Sequence, residues 1–118
     1  MRFPIQHALF YPQRWETPFQ RLNLLEVGKL EFEKPDTETF KCLELAYSYG
    51  KRGLPYTALL VGADEGAVEL FLRGKISFTD IPTIIEKTVE KLAPRWEDLK
   101  RHDIPLAVKE AYGEALKG

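Results

Sequence analysis

The residues of this 118-residue chain best placed to do chemistry are three acids, Asp64, Glu65 and Glu69. Glu65 and Glu69 stand four apart, a spacing that puts two carboxylates on one face of a helix within reach of one metal ion. No histidine and no third acid stands where it would complete a coordination set, so no metal ligand is assigned. A solvated helix face is the simpler reading of the cluster, and acids among small residues can also hydrogen-bond a neighbouring helix. His7 follows Pro4-Ile5-Gln6 and His102 precedes Asp103. Neither has a Ser, Cys or carboxylate at a spacing that suggests a proton relay. Cys42, in Phe40-Lys41-Cys42-Leu43, reads as a small buried hydrophobe. Gly50-Lys51-Arg52-Gly53 lacks the spacing of a Walker or dinucleotide loop, and its two bases suit the end of a helix. Trp15 and Trp96 read as anchors at packing edges. These residues make no complete active site.

The elements that position them fall into two stretches. Residues 1–36 hold Pro4, Pro12, Pro18 and Pro35 among the aromatics Phe3, Phe10, Tyr11, Trp15 and Phe19. Only a short helix, about Ile5 to Phe10, fits between such breakers. The alternation in Val27-Gly28-Lys29-Leu30-Glu31-Phe32-Glu33 predicts one strand. A lone strand is not stable, so it is expected to pair with a sheet outside this chain.

Residues 37–118 carry helical periodicity. Asp36 is placed to cap a first helix with Phe40, Leu43 and Tyr47 inward, stopping at Gly50. A second runs from Tyr56 to Arg73 with Leu59, Ala63, Ala67 and Leu70 or Phe71 on one face. Gly62, Ala63, Gly66 and Ala67 leave room for another backbone. Asp80 caps a third, with the stripe Ile81, Ile84, Ile85, Val89 and Leu92, ended by Pro94. After a short helical turn near Trp96 to Lys100, Asp103 caps a last helix carrying Ile104, Val108, Ala111, Tyr112 and Leu116. The expected fold is mainly α: a four-helix-bundle-like domain after an extended segment with one short helix and one strand.

Composition narrows the partners. Apolar content of 44% and charged content of 30% are those of a globular domain. A formal net charge of -1 offers no basic footprint for nucleic acid or an anionic membrane surface. No apolar run approaches the roughly 20 residues of a membrane-spanning helix. Arg2, Gln6, His7, Gln13 and Arg14 interrupt any signal-peptide core. One cysteine leaves no internal disulfide and no cysteine-based zinc site. A soluble, cytoplasmic protein is expected.

Four blocks, in order, carry a resemblance. Met1-Arg2-Phe3-Pro4-Ile5-Gln6-His7-Ala8 is similar to a D-M-R-x-P-I segment without its leading Asp. Leu22-Asn23-Leu24 and Gly28 to Asp36 are similar to a linker in which L-x-F precedes Pro-Asp. Phe40 to Tyr47 is similar to F-P-C-L-x-L-A-Y, and Phe78-Thr79-Asp80-Ile81 to F-x-D-I. Together they resemble the C-terminal portion of 1-deoxy-D-xylulose 5-phosphate reductoisomerases; the stretch from Pro94 resembles it only loosely. Where that family has N-A-A-N-E, this chain has Val61-Gly62-Ala63-Asp64-Glu65, keeping the Glu and changing both Asn positions.

The resemblance implies a parent enzyme that uses NADPH and a divalent metal, Mg or Mn, to make 2-C-methyl-D-erythritol 4-phosphate for isoprenoid synthesis. NADPH and the metal would be held by upstream domains, the partners of this chain in a parent homodimer. Nothing here maps onto the metal site, and the chain alone is expected to be inactive. Met1 corresponds to a family Met that lines the pocket where nicotinamide meets substrate. Asp64 and Glu65 fall in the motif that packs the bundle on the catalytic domain. A free-standing helical interaction module derived from the enzyme is the alternative, suggested by the changes at Val61 and Asp64.

Overall fold

Helices begin and end in this chain where backbone chemistry permits. The structure is a computed structural model describing residues 1–118, and its contacts divide it into two units, Met1–Lys34 and Pro35–Gly118. In the first unit, α1 spans Arg2–Phe10. It starts ahead of the expected Ile5, because Pro4 falls in the first turn, where its missing N–H costs nothing. α2 is a single turn, Leu24–Val27, capped by the Asn23 side chain, which accepts from the Leu25 N–H. Phe3 meets Phe19 edge to face, Phe10 lies 5.4 Å from Trp15, and Arg2 sits over Phe19. No residue of this unit is buried.

The expected strand is not formed. Val27 closes α2, Gly28 turns the chain at φ +73°, and residues 29–36 have no regular structure. The alternation of Leu30 and Phe32 with charged residues is real, but strand backbone needs a ladder partner, and none of the six α-helices supplies one. Leu30 and Phe32 are exposed, and Lys29 pairs locally with Glu31.

The second unit holds α3 (Lys41–Arg52), α4 (Tyr56–Leu72), α5 (Ile81–Leu92) and α6 (Ile104–Ala115), with short 3-10 turns before α5, after it and before α6. α4 is the central element and packs on α3, α5 and α6. It ends in a Schellman motif, with Gly74 at φ +67° and the Lys75 N–H donating to the Leu70 carbonyl. α5 buries the stripe its sequence predicts, Ile81, Ile84, Ile85, Val89 and Leu92. Two other stripes are displaced. α3 buries Leu45 and Tyr49 and leaves Phe40 and Tyr47 exposed, because Tyr49 stacks on Tyr56 of α4. α6 buries Ala107, Ala111 and Ala115, with the larger residues flanking them.

Two caps act one step earlier than expected. The Asp36 carboxylate accepts from the Glu38 and Thr39 N–H groups and closes a turn, while α3 starts at Lys41. Asp80 turns back to Ser77 in a reciprocal capping box, accepting from its N–H at 2.8 Å. Gly50 lies within α3, which continues to Arg52 and ends at Gly53.

Candidate functional site

α4 has two faces, and both depend on which residues are missing a side chain or a charge. Its inner face uses Gly62 and Gly66 to bring α6 close. A Cβ on Gly62 would lie 2.1 Å from the Val108 carbonyl oxygen, and one on Gly66 would lie 2.8 Å from the Tyr112 carbonyl oxygen. That contact is why α6 turns its alanines inward: only Ala107, Ala111 and Ala115 fit against a backbone so near.

Opposite the core, α4 presents Val61, Asp64, Glu65, Val68 and Leu72, all exposed. Val61 and Asp64 border a groove of about 300 Å³ between α3 and α4, lined also by Cys42, Ala46 and Leu60. Cys42 is exposed at its rim rather than buried in the core. Its thiol pKa is nonetheless raised, first by partial desolvation and then by the Asp64 charge, so it is not an activated nucleophile.

The third acid leaves this face. Glu69 accepts from the Tyr112 hydroxyl of α6 and pairs with Arg73 one turn on. That hydrogen bond also holds the Tyr112 hydroxyl above its ordinary pKa. Glu69 therefore ties α4 to α6 and does not converge with Glu65. Nowhere in the chain do three His, Cys, Asp or Glu side chains gather to hold a metal ion. His102 lies 3.4 Å from Asp103 with its ring largely exposed. His7 packs edge-on to Tyr11, and its Nδ1 is buried without a partner. Met1 is 92% exposed.

Sequence spacing missed three contacts between elements. The Arg52 guanidinium lies 3.4 Å from the centre of the Tyr56 ring and donates to Glu90 of α5 at 2.8 Å. Arg95 and the Trp96 indole both donate to Glu110 of α6. Lys91 of α5 and Lys117 both grip Glu114. Each includes a pair 14 or more positions apart, Arg52–Glu90, Trp96–Glu110 and Arg95–Glu110, and Lys91–Glu114, which no local periodicity marks. Together they are positional, and none sets a nucleophile against a base.

Comparison with known proteins gives a consistent result. The family model described as DXP reductoisomerase C-terminal domain matches residues 1–111. The 1-deoxy-D-xylulose 5-phosphate reductoisomerase of Chloroherpeton thalassium is 49% identical over 90 residues, which is 76% of this chain and 23% of that protein. The enzyme of the same name from Clostridium tetani is 50% identical over 97 residues, 82% of this chain and 25% of that protein. A solved structure, 1-deoxy-D-xylulose 5-phosphate reductoisomerase from Zymomonas mobilis in complex with NADPH, superposes with a TM-score of 0.84 at 36% identity, over 98% of this chain and 30% of that one. The chain thus spans about a quarter of the length of these curated relatives.

Proposed function

The chain belongs to the DXP reductoisomerase C-terminal domain family, and on that premise we propose that it is the helical brace of a reductoisomerase. In this reading it packs on the upstream catalytic portion of an enzyme converting 1-deoxy-D-xylulose 5-phosphate to 2-C-methyl-D-erythritol 4-phosphate with NADPH. The observation that carries the reading is a C-terminal-domain family match across residues 1–111, together with alignments of 90 and 97 residues that take up only about a quarter of each relative. The chemistry belongs to the other three quarters. No glycine-rich dinucleotide loop and no three-carboxylate cluster exists in this chain, so NADPH and a divalent metal do not fit its residues. Both groups, Mg or Mn in the case of the metal, are assigned to the upstream portion.

The remaining assignments follow the same parentage. The family resemblance implies a parent that works as a homodimer in the cytoplasm; separately, no helix of this chain is long and apolar enough to cross a membrane. Near-neutral charge supports a protein partner over nucleic acid or an anionic membrane. Met1 lines the nicotinamide and substrate pocket only when the upstream portion encloses it, which fits its exposure here. Asp64 and Glu65 serve packing on the upstream portion rather than catalysis, a reading that their outward position on α4 supports.

Oxidation of NADPH with substrate and Mg tests this, for the chain alone and for the chain mixed with a separately produced upstream portion. The expected result is no turnover from the chain alone and turnover from the mixture. A mixture that stays inactive with both parts folded would reject the brace and favour a free-standing interaction module.

A further inference from the structure

We draw no further inference here: the strongest candidate, the apolar groove along α1 lined by Ile5, Leu9, Phe10, Pro18 and Phe19, carries none, because the upstream portion as its cover belongs to the brace reading already given and nothing in the structure shows another occupant.

Discussion

Gly62 and Gly66 contribute by leaving space, which makes their replacement informative at the scale of one atom. A Cβ at Gly62 meets the Val108 backbone at 2.1 Å, and backbone cannot rotate away as a side-chain tip can. Overpacking costs about 1–3 kcal/mol, while the gain in helix propensity returns at most about 1 kcal/mol. Gly62→Ala is therefore expected to lower the melting temperature by several degrees in calorimetry. Gly113 has nothing within 4 Å of its would-be Cβ, so Gly113→Ala is expected to stabilise by roughly 0.5–1 kcal/mol. Equal melting temperatures for the two variants would mean that α4 and α6 do not approach as described. Glu114 offers a test by pH. Hydrogen bonds from Lys117 and Lys91 hold its carboxyl down at about 2, against an ordinary 4.5. A depressed acid stabilises the fold above its unfolded pKa and loses that contribution as pH falls toward the folded value. The gap in melting temperature between the wild type and Glu114→Gln is thus expected at neutral pH and should close between about pH 4.5 and pH 2. A gap that persists at pH 2 would assign Glu114 to packing instead of ion pairing.

Between elements, one side chain joins three helices. Arg52, in the last turn of α3, stacks on Tyr56 at the start of α4 and reaches Glu90 on α5. A partly exposed cation–π contact contributes about 0.5–1 kcal/mol and an exposed ion pair about 0–1 kcal/mol. Arg52→Ala is expected to destabilise by about 1 kcal/mol in urea denaturation, and Arg52→Lys should recover little, since an ammonium does not stack as a planar guanidinium does. Full recovery with Lys would reduce the contact to simple charge. This triad also shows where sequence stops being legible. The α5 stripe was readable because one face of that helix meets the core and the other meets water. The small-residue face of α4 was readable too, since Gly62 and Gly66 have no local reason to sit in a helix. The α3 and α6 faces were not, because partners chose them: Tyr56 draws in Tyr49, and the two glycines admit only the alanines of α6. The strand pattern at Val27–Glu33 misled for the same reason, as alternation specifies a face but not the ladder that must pair it. At the candidate site, the outward placement of Asp64 and Glu65 followed from periodicity, whereas the capture of Glu69 by Tyr112 depended on a residue 43 positions away.

For the molecule as a whole, stability must be unevenly distributed. Every residue of the hydrophobic core comes from Leu45 onward, and none of Met1–Lys34 is buried. A backbone amide exchanges with solvent at a rate set by the free energy of the opening that exposes it, and that opening is resisted by the apolar contacts it must break. In α4 the amides of Ala63, Ala67 and Leu70 sit under fully packed side chains with α6 against them, so they should exchange only through global unfolding. α1 has nine residues and no buried side chain, and its aromatic contacts with Phe19 and Trp15 lie at the surface. An isolated helix of that length is marginal in water, so its amides should exchange far faster than those of α4. Hydrogen exchange read by NMR is expected to show this division, with the step in protection at Pro35–Lys41. The division bears on the brace. A bundle that keeps its own core can form before it docks, whereas Met1–Lys34 depends on what covers it. Protection in α1 equal to that in α4 would contradict this ordering and require a stabilising partner already present in the isolated chain. Slow exchange appearing in α1 only when the upstream portion is added would identify that portion as the cover.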